Sequence, residues 1–434
     1  MSTNPDTSFF GHPRGLATLF FTEMWERFSY YGMRAILVLY MVTSTGNGGL
    51  GMATAKAATI YGLYTGSVYA FSIPGGWLAD RYLGAQLAVI LGGVGIAIGN
   101  GLLATGNETL FYLGLAIVIG GTGLLKPNVS AMVGGLYRQG DPRRDSGFSI
   151  FYMGINTGAI LAPLVCGYLA QRVSWRLGFA TAAAMMSLGL VQFLSFKKAL
   201  GDVGARTVQN AVSRTESAGT KLSSDDWRRL GAIAVLFVFS TVFWTSFEQA
   251  GSSLTLFAEQ LTRLSIFGFE FPSSWFQSVE PFFVVAFAPV FSWLWFRLGD
   301  RQPSSPAKFA WGLFAAFAAF AVITFASTLT EAGRVSPIWL VLVYMFQGFG
   351  ELLLSPVGLS TTTKLAPPQI VGLMMGVWFM SIAAGNYLAG GVAAFYKPDN
   401  LVVVFGGVAA VTLVSMLILI VMTPFMRRLM GNVR

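Results

Sequence analysis

Histidine and cysteine are almost missing, with one of each, His12 and Cys166, in 434 residues. A lone thiol closes no intrachain disulfide, so the fold depends on none, and Cys166, set in an apolar run, reads as core packing. One cysteine and one peripheral histidine also offer little to an enzyme, which needs a nucleophile with its base, a metal cluster or paired acid–base groups. Charge is scarce too. Only 11% of the residues are Asp, Glu, Lys or Arg while 54% are hydrophobic, too apolar for a soluble globular chain of this length. The composition predicts a polytopic membrane protein. The net charge of +9 does not argue for nucleic acid, because membrane proteins gather Lys and Arg in their cytoplasmic loops. No cleavable leader is expected, since the first apolar run is too long, too charged and lacks a small-residue cleavage site after it.

What charge there is falls where it costs most. Glu23, Glu26, Arg27 and Arg34 lie inside an apolar run from about 16 to 42, long enough to span a bilayer. At about 100° per residue, Glu23, Arg27, Tyr30 and Arg34 share one helical face, with Glu26 and Tyr31 flanking it. Each charge left in lipid costs roughly 2.5–3.5 kcal/mol, about 10 kcal/mol for the four, so this face must look into protein or a wet cavity.

Further runs of span length lie near 57–79, 85–105, 109–136, 147–170 and 175–196, then near 228–258, 274–298, 307–328, 337–364, 370–396 and 400–426. The polar segment 197–227 separates six spans from six and reads as an exposed linker. The expected organisation is therefore a six-helix bundle over 1–196, a cytoplasmic linker over 197–227 and a second bundle over 228–434. Loops after even-numbered spans carry more Lys and Arg than those after odd ones, which predicts cytoplasmic termini. Six plus six spans about a cytoplasmic linker is the major facilitator arrangement, with substrate sites near the midplane between two rocking halves.

The residues Glu23-x-x-Glu26-Arg27-Phe28-x-Tyr30-Tyr31-Gly32 resemble the first-helix signature of the proton-dependent oligopeptide transporters, a bacterial-type branch of the major facilitator superfamily. Gly75-Gly-Trp-Leu-Ala-Asp80-Arg81 is similar to the superfamily's loop motif, Phe151-Tyr152-Met-Gly-Ile-Asn156 to the family's second signature, and Phe243-Trp244-Thr-Ser-Phe-Glu248 to its gate helix. Gly350-Glu351-Leu-Leu-Leu-Ser355-Pro356 matches its tenth span. The resemblance covers nearly the whole chain apart from the linker. It implies an all-α membrane protein of the major facilitator fold with twelve spans. About thirty linker residues cannot supply the two extra helices that most bacterial members insert there, so no such hairpin is expected.

The resemblance also implies roles. Glu23, Glu26, Arg27 and Lys126 couple protons, joined by Glu351 and, on its charge and its like-charged neighbour rather than by resemblance, by Glu280. Arg34, Tyr30, Tyr31, Tyr69, Lys126, Asn156, Trp244, Glu280, Glu351, Ser355 and Trp378 line the substrate pocket, and Arg34 pairs with Glu248 to close the extracellular side. Against these stand plainer readings. Tyr61, Tyr64 and Tyr69 suit a belt of interfacial aromatics, Lys126 a cation reaching for an interface, Asn156 a bridge between helices, Glu248 a solvated headgroup residue and Trp378 a packed core residue. Glu280 departs from the family pattern, standing where most members carry asparagine.

Sorted by half, Arg27, Arg34 and Lys126 fall in the first and Glu248, Glu280 and Glu351 in the second. A cleft cationic on one wall and anionic on the other suits a zwitterion gripped at both ends, as a free peptide is. With His12 outside the spans, proton carriage falls to buried carboxylates. A potential of 100 mV gives each imported charge about 2.3 kcal/mol, enough for roughly fifty-fold accumulation of a neutral substrate with one proton. The expectation is a proton-coupled symporter of di- and tripeptides in the plasma (inner) membrane, monomeric, with no metal, no nucleic acid and no cofactor beyond the proton. The alternatives are a symporter of the same fold for another small anion or zwitterion, and a peptide sensor that does not transport.

Overall fold

The computed structural model describes residues 8–138, 141–205, 222–367 and 370–431. Much of the linker, including Arg206, Arg214 and Lys221, lies outside them. Among the described residues the helices are joined by loops, and the one pair of strands is a short hairpin in which Ser265–Ile266 pairs antiparallel with Phe269–Glu270.

Among the described residues seven α-helices come before the linker: α1 (Arg14–Val42), α2 (Thr54–Ala70), α3 (Ser72–Leu78), α4 (Ala85–Leu103), α5 (Glu108–Gly135), α6 (Arg144–Arg172) and α7 (Trp175–Phe196). Seven follow it: α8 (Ser224–Phe247), α9 (Ser253–Leu261), α10 (Val279–Leu298), α11 (Ser305–Thr328), α12 (Ile338–Leu365), α13 (Val371–Ala393) and α14 (Leu401–Met430). Ten of the described helical segments are long and apolar enough to cross a membrane. Neither α1 nor α2 is among them, for different reasons. Three or more charged residues fall in any eighteen-residue window of α1, and α2 ends at seventeen residues because the chain turns at Phe71 before resuming as α3. The span expected as one helix over 57–79 is thus two helices. Likewise the span expected over 228–258 is interrupted at Glu248–Gly251 by a tighter helical turn before α9.

The chain divides into two compact units, 1–51 with 67–213 and 52–66 with 214–434, so the division falls inside α2. In the first unit α1 packs on α6 and α7, and α4 on α5 and α7. Glycines set the closest approaches. A Cβ on Gly92 would meet the Gly121 carbonyl at 2.5 Å, and one on Gly99 the Gly114 carbonyl at 2.8 Å, so α4 and α5 touch backbone to backbone. Leu16, Leu19, Val89, Ile96, Leu125, Val129, Phe151 and Phe193 form the apolar core beneath. In the second unit α11 packs on α12 and α14, α13 on α8, and α10 on α12. Ser223 caps α8, accepting from the Asp226 N–H while the Asp226 carboxylate accepts from the Ser223 N–H, so α8 starts at a defined residue after the linker.

The entry into α1 is fastened to the loop before α6. Nδ1 of His12 lies 2.8 Å from the Tyr137 hydroxyl, and Arg143 donates to the Gly11 carbonyl at 3.2 Å. Arg143 also forks onto Asp141, and these side-chain hydrogen bonds hold the Asp141 carboxyl below its ordinary range. His12 is buried here as a structural ligand to Tyr137.

Candidate functional site

The charges of α1 form one buried cluster. Arg27 Nε donates to Glu26 and lies 3.2 Å from Glu23 Oε1, and all three side chains are nearly inaccessible. The Arg27 guanidinium also stands 5.0 Å from the Tyr30 ring centre and 5.9 Å from that of Tyr31, and Arg34 stands 5.6 Å from Tyr31. The two tyrosine rings meet edge to face at 5.2 Å. The i, i+4 spacing of Glu23 and Arg27 makes the first contact, and the aromatic faces take up the positive charge on the other side. The cluster is not satisfied. Glu23 Oε2, Glu26 Oε1 and Arg27 Nη2 are buried without a hydrogen-bond partner among the described residues. Two carboxylates against one guanidinium carry a formal charge of −1, which one added proton would cancel.

Lys126 belongs to the same unit and lies within Coulombic reach of Glu23. Its Nζ sits 3.7 Å from the centre of the Tyr69 ring, so the ammonium is held against an aromatic face within α2 rather than stretched to an interface. Pro127, inside α5, withdraws the helical hydrogen bond that the Gly123 carbonyl would otherwise accept. Gly75 fits against that carbonyl, where a Cβ would meet the oxygen at 2.1 Å. Asn156 is buried in α6 and spends an amide donor on the Tyr152 carbonyl of its own helix, 2.9 Å away. Its Oδ1 is the atom left for other work.

In the second unit, Glu248 is buried and accepts from the Tyr61 hydroxyl at 2.8 Å. The reading of Glu248 as a solvated headgroup residue therefore fails, and so does the belt reading for Tyr61 and Tyr64, both of which are buried. What brings Tyr61 to Glu248 is glycine. A Cβ on Gly62 would meet Gly390 Cα at 2.5 Å, and one on Gly66 the Ala383 carbonyl at 2.9 Å, so the 52–66 part of α2 lies directly on α13. The sequence signal was present in Gly62-x-x-x-Gly66, the spacing that lets two membrane helices approach closely. The break after α8 is pinned by Gln249, whose amide donates to the Ala389 carbonyl at 3.0 Å and accepts from Ser253 at 2.6 Å.

Trp244, on α8, is buried edge-on to Phe243 and Phe247, with its indole Nε1 unpaired among the described residues. Trp378 packs edge-on to Phe309, and a Cβ on Gly358 would meet its ring at 1.9 Å, so its indole is enclosed within the unit. Glu280 stands in the first turn of α10, where the helix dipole favours a carboxylate. Its carbonyl lies against Gly348 of α12, one turn before Glu351. Glu280, Glu351 and Ser355 are all half-buried. Asn386 of α13 was not anticipated: both its amide atoms are buried without a partner among the described residues. Among the described residues no cluster of three or more His, Cys, Asp or Glu side chains is placed to hold a metal.

Comparison with known proteins gives this geometry its context. The POT family model matches residues 86–201 and 195–404. The chain is 43% identical to the uncharacterized transporter YclF of Bacillus subtilis, over 99% of this chain and 97% of that one. It is 38% identical to a di-/tripeptide transporter of Lactococcus lactis subsp. cremoris, over 99% of both chains. Among solved structures, a mutant of the peptide transporter POT in complex with alafosfalin superposes with a TM-score of 0.92 at 43% identity, covering 99% of this chain and 98% of that one. A POT family transporter in complex with 5-aminolevulinic acid gives 0.90 at 32% identity, covering 97% and 98%. The chain belongs to the POT family. It is a multi-pass, all-α membrane protein of the major facilitator fold, and a transporter rather than an enzyme.

Proposed function

We propose that the chain imports di- and tripeptides by alternating access, driven by protons, across the plasma (inner) membrane, with both termini cytoplasmic and the monomer as the working unit. One observation carries the proton coupling. Glu23, Glu26 and Arg27 form a buried ion cluster with a polar atom left unpaired on each side chain and a formal charge that one proton neutralises. Buried unpaired carboxylate oxygens are costly unless protonated or newly partnered, so the cluster is a proton store by chemistry alone. Lys126, held against Tyr69 and within the field of Glu23, is the group through which the store senses substrate.

Arg34 and Lys126 are the proposed partners of the peptide carboxylate, and Glu280 and Glu351 those of its ammonium. Tyr30, Tyr31, Tyr69, Asn156, Trp244, Ser355 and Trp378 complete the pocket, and Arg34 with Glu248 closes the extracellular side. The solved relative that holds 5-aminolevulinic acid supports the pairing of grips, because that ligand also carries an amine and a carboxyl group. The relative named a di-/tripeptide transporter supports the substrate class.

The test separates coupling from translocation. In proteoliposomes, Glu23→Gln and Glu26→Gln should abolish uptake driven by a pH gradient while sparing counterflow exchange of a labelled dipeptide. Undiminished gradient-driven uptake in both variants contradicts the assignment.

A further inference from the structure

We propose that the second unit carries a site for an anionic phospholipid in the groove between α11 and α14, with one acyl chain along the groove and the phosphate at Arg427. The groove encloses about 760 Å³ and runs along one face of each helix. Ala310 and Phe314 form its wall on α11, and Ile420 and Pro424 its wall on α14. Alanine leaves room on the first side. On the second, Pro424 cannot donate to the Ile420 carbonyl, so the α14 backbone is weakest where the groove lies.

The occupant is set by the end of the groove. Arg427 stands there, three residues before the last residue of α14, reaching only the Ser304 hydroxyl at 3.5 Å. Among the described residues it has no carboxylate partner. Lys308, in the first turn of α11, lies at the same end of the two helices, its Nζ bound to Gln302 at 2.7 Å and resting over the Trp295 ring; Arg428 does not line the groove. An apolar groove that opens on cations with no carboxylate partner among the described residues matches a phospholipid whose headgroup bears net negative charge; a zwitterionic lipid leaves that charge unmatched. None of this depends on which solute is transported.

Native mass spectrometry of the purified full chain, offered phosphatidylglycerol and phosphatidylcholine of identical acyl chains, reads the site directly. The parent should retain phosphatidylglycerol in preference. Arg427→Gln should lower that retention about five-fold, the change expected for one cation at an anionic headgroup, and leave phosphatidylcholine unaffected. Arg427→Lys keeps the charge and should keep the preference, which guards against a folding artefact. Ala310→Trp fills the groove and should lower retention of both lipids. A phosphatidylglycerol preference unchanged in Arg427→Gln, or one lost equally in Arg428→Gln, overturns the site.

Discussion

At the scale of single residues, scarcity made the chemistry legible. In a chain only 11% charged, each ionisable side chain within an apolar run is an anomaly that needs partners, which is why the cluster on α1 and Lys126 stood out from sequence. The structure supplied what spacing could not. Glu26, one residue from Arg27, contacts the same guanidinium that Glu23 reaches from the preceding turn, and Lys126 rests on a ring carried by another helix. Glu280 remains the residue on which the family pattern is a poor guide. It stands in the first turn of α10, which packs on α12, the helix of Glu351. Two carboxylates sharing one ammonium rarely both stay ionised. Glu280→Asn should therefore retain uptake while changing how peptide affinity varies with pH, measured by competition at a series of pH values. Overlaid curves for parent and variant contradict a titrating role.

At the scale of elements, the helix with the most charged span, α1, holds Glu23, Glu26, Arg27 and Arg34, whereas Lys126, Glu248, Glu280 and Glu351 sit in segments apolar enough to cross a membrane. The charges in α1 mark where function displaces ordinary lipid-facing composition, whereas α2 is merely one residue short. The turn at Phe71 and the break after α8 were not foreseen, although Pro74 and the polar stretch Glu248-Gln-Ala-Gly-Ser-Ser mark them in the sequence, because where the chain turns also depends on contacts from distant helices, such as Gln249 with Ala389. From sequence Tyr61 reads only as a belt aromatic, since a tyrosine in a span says nothing of the carboxylate that awaits it 187 residues later. If the backbone contact of Gly62 with Gly390 is what holds Tyr61 to Glu248, Gly390→Val should force the helices apart, cost about 1–3 kcal/mol and lower the thermal midpoint. Gly101→Ala, where no atom lies within 4 Å of the new methyl, should leave it unchanged. Equal midpoints in the two variants contradict a role for close glycine packing.

The entry into α1 is a second such device. Removing the imidazole in His12→Ala deletes its bond to Tyr137 and should cost about 1 kcal/mol of stability. The pH profile of uptake should not move, and a shifted profile would return His12 to the proton path. Beside it, Asp141 adds a dependence with the opposite origin. Its carboxyl is held below the ordinary range, so what Arg143 gains from it is present above that range and is lost as pH falls through the lowered value.

At the scale of the whole molecule, composition and the rhythm of apolar runs carried the fold, and the helices match the expected spans apart from the two breaks. The grouping of 52–66 with the later part of the chain was not legible, because it rests on packing of α2 against α13 and not on order along the sequence. The alignment with the Bacillus relative extends over 479 positions, whereas this chain has 434 residues, so at least 45 of them (479 − 434) have no residue here. Coupled import of a zwitterion by so short a chain is most directly read from purified protein in proteoliposomes. The lumen is set alkaline and negative, and labelled dialanine is placed outside. Accumulation above the outside concentration that collapses when a protonophore is added is the predicted result; dipeptide that equilibrates to the same level with and without the gradient contradicts proton-coupled import.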